Sequence, residues 1–176
     1  MQRTLSIWQL AGLTFTAVLG TLLHFLYAWT GSPLVAPFSA VNESTWEHMK
    51  ILFFPMLIYA IIQSVFFKDG YKNFWLIKLI GIVVGTLSIP VLFYTYTGAF
   101  GESPAWLNVL FFFVAAGVAY LLETWLFKRA WGWVLPSAWS KAALALLALL
   151  FVAFTYFPPH FPLFQDPLTK SYGLRL

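Results

Sequence analysis

The stretch Asn42-Glu43-Ser44-Thr45-Trp46-Glu47-His48 puts two carboxylates and an imidazole within seven residues of a chain that holds only six acids and three histidines. Such groups can pass a proton as a general acid–base pair, or they can ligate a divalent cation. On a helix, Glu43 and Glu47 would lie one turn apart on one face. Two like charges there repel unless a proton, a metal or a cation sits between them. His48 would point about 100° away from Glu47, so other elements must complete any site. The predicted catalytic set is Glu43, Glu47, His48 and His24, and the predicted set for a divalent metal adds His160. Asn42, Trp46, Glu102 and Asp166 are predicted to line a ligand pocket with them. The same stretch also reads as a helix start. Ser44 and Glu47 fit the S-x-x-E capping box, Asn42 is an alternative N-cap, and Lys50 can pair with Glu47. No H-E-x-x-H motif is present, neither Ser39 nor Ser44 sits in a nucleophile elbow, and the absence of cysteine excludes thiol chemistry.

The elements that must position these groups are membrane spans. Of 176 residues, 61% are hydrophobic and 9% charged, and mean hydropathy is +0.80. Soluble domains carry about 25% charge, so the composition excludes a cytosolic enzyme, a disordered chain and a nucleic-acid-binding domain. A bilayer core needs roughly 20 apolar residues per helix, and helices are required because lipid offers the backbone no partner. Runs 7–29, 51–67, 74–94, 106–127 and 140–157 meet that need or nearly so. They predict one all-α transmembrane domain over 1–176, a bundle of five helices followed by a tail at 158–176. With the N-terminus inside, Arg3, Lys68, Lys72, Lys78, Lys128, Arg129 and Lys141 are cytoplasmic, and Lys50, Lys170 and Arg175 are outside. That bias favours N-in and C-out. All three histidines and Glu43, Glu47, Glu102 and Asp166 then fall on the extracytoplasmic side, with Asp69 and Glu123 inside.

The connections carry further expectations. Thr30–Lys50, with Pro33, Pro37 and Phe38, is apolar enough to dip into the membrane. Pro158-Pro159 ends the fifth span. Phe161, Leu163, Phe164 and Leu168 after it are too apolar for a free tail. The tail is predicted to fold back on the Pro33–Phe38 segment and the start of the second helix, bringing His160 and Asp166 toward Glu43 and His48. Gly81 and Gly85 form a GxxxG, a surface for close helix approach and for a homo-oligomer. Pro55 and Pro90 should kink their spans. Lys128, Arg129 or Lys78 can pair with Glu123.

Asn42-Glu43-Ser44-Thr45-Trp46-Glu47-His48-Met49-Lys50, together with Phe164-Gln165-Asp166-Pro167-Leu168-Thr169-Lys170-Ser171-Tyr172-Gly173, resembles a family of small bacterial integral membrane proteins. Its members carry N-E-S-x-W-E-H and end in D-P-x-T-G-x-Y-G. Lys170 stands where that pattern has Gly. The resemblance implies a bacterial plasma membrane and names no reaction. Two readings of function result. One is a membrane module that binds a lipid-like ligand or a partner at the outer polar cluster. The other is a membrane-embedded metal-dependent or acid–base enzyme acting on an apolar substrate at the outer leaflet. With no motif to name a reaction, the first is preferred.

Overall fold

The computed structural model describes residues 2–67, 70–129, 131 and 133–174. Lys68, Asp69 and Arg175, which enter the charge reading above, lie outside the described residues. Five helices follow one another: α1 (Gln2–Thr30), α2 (Thr45–Phe67), α3 (Phe74–Phe100), α4 (Ala105–Phe127) and α5 (Ser137–Tyr156), with a short 3₁₀ turn at Pro162–Phe164. All five are long and apolar enough to cross a membrane. At about 1.5 Å per residue even the 20-residue α5 spans the roughly 30 Å hydrocarbon core.

Local chemistry sets the boundaries. Gly31 (φ 58°) and Gly101 (φ 86°) take the left-handed conformation that ends α1 and α3, and their N–H groups bond the Tyr27 and Thr97 carbonyls. Pro104 and Pro136 precede the first turns of α4 and α5. Pro158-Pro159 stops α5, as expected. Three spans are longer than their apolar runs by six residues, α1 because it begins at Gln2 and ends at Thr30. α2 starts six residues before Ile51, because Glu47 and Lys50 neutralise each other inside the fold and so can be helical without facing lipid. α3 runs six residues past Tyr94, to Gly101.

α2 is the central helix: 67% of its apolar window is buried, against 22% for α1 and for α5. Glycines let neighbours close on one another. Gly20 of α1 lies against the Phe112 ring and the Ile51 carbonyl, the carbonyl that Pro55 leaves without its i+4 donor. Gly81 and Gly85 are covered by α4 of the same chain. A Cβ at Gly85 would meet the Ala119 Cβ at 2.8 Å, and one at Gly81 would run into the Glu123 side chain. The GxxxG therefore joins α3 to α4, and the surface assigned above to a homo-oligomer is used within the chain.

A polar network is buried among α1, α2, α3 and α4. Lys78 and Glu123 pair at 2.5 Å with 1% and 0% exposure. Gln9 donates to the same Glu123 oxygen at 3.0 Å, and Gln63 donates to Gln9 at 3.3 Å. Deeper along α1, Thr16 bonds the Tyr120 hydroxyl at 2.9 Å. Of the three bases that could reach Glu123, Lys78 is the one that does. Lys78 and Lys50 are thus interior groups, and neither is a loop charge.

Candidate functional site: two histidines and a loop carboxylate

The segment after α1 turns back onto that helix. Ser39 donates to the Leu23 carbonyl at 2.5 Å and accepts the Tyr27 N–H at 2.8 Å, the two groups an unbroken α1 would bond to each other. A hydroxyl is thereby wedged into the helix one residue from His24. Ala36, Ser39 and Ala40 are buried, so the segment is packed into the protein. Its far end is tied by Glu47, which accepts the Val41 N–H at 3.1 Å and pairs with Lys50 at 2.5 Å. The Lys50 ammonium also donates to the Ala36 carbonyl at 2.8 Å and the Thr155 hydroxyl at 2.7 Å. One buried ion pair thus joins the loop, α2 and α5.

This tie separates the two glutamates. α2 begins at Thr45, so Glu43 lies outside the helix and the predicted one-turn pair of like charges does not form. Glu47 is 2% exposed, spent on Lys50, and no part of a metal-ligating group. Only half of the capping box is made: the Glu47 N–H reaches the Ser44 hydroxyl at 3.4 Å, while the Ser44 N–H goes to Asn42 Oδ1 at 2.9 Å.

Glu43, freed from the helix, faces both histidines. Its Oε1 lies 3.7 Å from His24 Nε2 and its Oε2 3.5 Å from His48 Nε2. The two rings are 5.3 Å apart, and one ligating atom from each of the three residues falls within 4.8 Å of the others. These separations are too long for hydrogen bonds. They approach the edge of about 3.4 Å expected of a tetrahedron built on ligand bonds of about 2.0–2.1 Å. His48 Nδ1 donates to the Ser44 carbonyl at 2.9 Å. In a neutral ring that bond leaves the Nε2 lone pair directed at the cluster, the tautomer a metal ligand needs. His24 Nδ1 is buried with no hydrogen-bond partner. Beside Glu43 and His48 is a cavity of ≈ 20 Å³ walled by Thr45, Ile89, Phe93, Asn108, Phe111 and Phe112. A space of that size holds one water-sized or ion-sized body.

The tail supports the carboxylate from behind. Phe164 is buried against Trp46 at 4.8 Å, and the Trp46 ring also meets Phe151 at 4.5 Å and Phe154 at 5.5 Å. Asn42 Nδ2 donates to the Gly173 carbonyl at 3.0 Å. The Asp166 carboxylate accepts the N–H groups of Leu168 and Thr169, and the Glu43 N–H dipole adds to their pull on it. Burial alone would raise its carboxyl. These donors together with the Thr169 hydroxyl outweigh burial and hold it below the usual aspartate range. The predicted fold-back onto the start of α2 is therefore present. The 33–38 segment is met by α5, through the Tyr156 hydroxyl on the Pro33 carbonyl at 3.1 Å.

Besides Glu47 and Asp166, four predicted residues do not face the cluster's centre. His160 is exposed and lies against Tyr172 at 4.7 Å, outside the three-residue group. Glu102 is exposed in the α3–α4 turn. Asn42 and Trp46 hold the tail. The sequence reading missed Asn108, Phe93 and Phe111 as walls, and it missed Ser39. Asn108 sits on an otherwise apolar turn of α4, a signal that was visible.

No curated protein and no solved structure matches this chain. A family model described as a family of unknown function (DUF6512) matches residues 1–174. With that match covering nearly the whole sequence, and five helices fit to span a membrane, the chain belongs to the DUF6512 family and is a multi-pass membrane protein.

Proposed function

We propose that this protein binds a first-row transition-metal dication through His24, Glu43 and His48. The observation that carries the reading is the spacing of the three ligating atoms. They converge without touching, all within 4.8 Å of one another, and the two carboxylate–imidazole distances of 3.7 and 3.5 Å are close to those of ligands around one ion. Two imidazoles and a carboxylate suit zinc or iron better than magnesium or calcium. Three protein ligands would leave a position open for water, and a bound dication would supply the activation that makes such a water a nucleophile near neutral pH. The chemistry this would support is metal-assisted hydrolysis beside an apolar wall of Phe93, Phe111 and Phe112. Asn108 is the polar group available there to a substrate. A cavity of ≈ 20 Å³ favours an ion over the acyl chain of a lipid-like ligand at this cluster.

We place the site at the extracytoplasmic face of a bacterial plasma membrane. Setting aside the buried Lys50 and Lys78, the described basic residues at one end are Arg3, Lys72, Lys128, Arg129 and Lys141, against Lys170 at the other. The test is elemental analysis of detergent-purified protein after loading with zinc and desalting. One equivalent of zinc is expected in the parent and in His160→Ala, and little in His24→Ala, Glu43→Gln or His48→Ala. A parent that retains none, or a His48→Ala that retains as much, contradicts the reading.

A further inference from the structure

At the opposite end of the bundle a second cavity, ≈ 220 Å³, lies between the α2–α3 turn and the start of α5. Its walls include Tyr71, Lys72, Asn73, Trp75, Ser137 and Lys141. Its lining holds two lysines and no acid, and both lysines are exposed. Lys141 Nζ stands 5.2 Å from the Trp75 ring centroid, which fixes one ammonium at the rim. Two helices begin at this cavity. Neither start has a side-chain cap. Asn73, placed to cap α3, instead donates to the Trp133 carbonyl at 2.9 Å and accepts the Leu135 N–H at 3.2 Å. It clamps the α4–α5 connection and leaves the first turn of α3 open to another acceptor. Uncapped first turns and ammonium groups call for the same partner, an oxyanion.

We propose that this cavity receives the phosphate group of an anionic lipid headgroup. The lipid source is favoured by position. Trp133 and Trp139, each more than half exposed, flank the cavity's rim elements, as indole rings do at a membrane interface. The volume is below the roughly 300 Å³ of a pocket for a drug-sized molecule, the scale of a headgroup fragment. A choline headgroup would present its own cation to the two lysines. The site uses none of the residues of the cation cluster and stands independently of it.

The test is native mass spectrometry of the full chain released from mixed phosphatidylglycerol and phosphatidylcholine bilayers. Preferential retention of one phosphatidylglycerol is expected. Two basic residues at a membrane surface are worth about thirtyfold, so Lys72→Gln with Lys141→Gln should lose a preference of that order. Lys72→Arg with Lys141→Arg should keep it. Both lysines are exposed, so folding should survive either exchange. Equal retention of the two lipids, or an unchanged preference in the double glutamine variant, overturns the proposal. A second arm adds inorganic phosphate to lipid-free protein in detergent. If it stabilises the chain as much as short-chain phosphatidylglycerol does, the lipid source is wrong.

Discussion

Lys170 has φ 59°, the positive-φ position among non-glycine described residues, and it stands where the resembling family pattern has Gly. The backbone needs that conformation to close the tail's small loop, in which the Lys170 N–H bonds the Asp166 carbonyl and the Asp166 N–H bonds the Ser171 carbonyl, both at 2.9 Å. A side chain there costs about 1–2 kcal/mol, and glycine's extra freedom in the unfolded chain offsets part of it. Lys170→Gly should therefore raise stability by about 0.5–1 kcal/mol, and Lys170→Val should lower it. Denaturant midpoints in detergent would show this; a destabilising glycine would contradict it. The Lys78–Glu123 pair makes a second residue-scale prediction. Removing one partner strands a buried charge, so Lys78→Met should cost about 3–5 kcal/mol. Adding Glu123→Gln should recover much of that loss, a non-additivity that a double-mutant cycle measures. Additive losses would mean the two residues act separately.

At the scale of elements, Phe164 against Trp46 seats the tail on α2, and the Asp166 carboxylate shapes the tail's own turn through the Leu168 and Thr169 N–H groups. Asp166 has a depressed pKa in the fold. Its contribution is therefore complete above the ordinary aspartate value of about 3.9 and is lost as pH falls through the lower folded-state value. Protease cleavage of the tail should rise below about pH 4, and Asp166→Asn should flatten that dependence. A tail whose protection in the parent does not change across that range contradicts the assignment. The five helices were legible because each apolar run matches a bilayer's thickness. The extra turns of α2 were signalled by the capping-box pattern of Ser44 and Glu47, but their burial was not, since Glu47 and Lys50 look like solvent-facing groups until the loop, α5 and Thr155 are known to close over them. Lys78 and Glu123 were readable in principle. Each lies four residues inside its helix, at the α2–α3 turn end of α3 and the C-terminal end of α4, where an antiparallel pair meets. Of the cluster, the histidines and Glu43 could be named from their types. Their separation from Glu47 could not, because it depends on Glu47 being turned inward to Lys50 and the Val41 N–H.

For the whole molecule, the five passes put the tail and the cation cluster at one end and the basic turns at the other. The chain contains no cysteine, so single cysteines report its orientation. Cysteine in place of Leu168, 78% exposed, should react with an impermeant thiol reagent in intact cells. Cysteine in place of the exposed Lys72 should react only after permeabilisation. The reverse pattern would move the cluster to the cytoplasmic face while leaving its geometry intact. The cation itself is tested most directly by zinc K-edge absorption on the loaded, purified protein. Two histidine nitrogens at about 2.0–2.1 Å and oxygen ligands at about 2.0–2.2 Å are predicted. In Glu43→Gln the oxygen shell should weaken or the metal should be lost. A spectrum with no imidazole scattering, or one unchanged in His24→Ala and His48→Ala, would contradict the account.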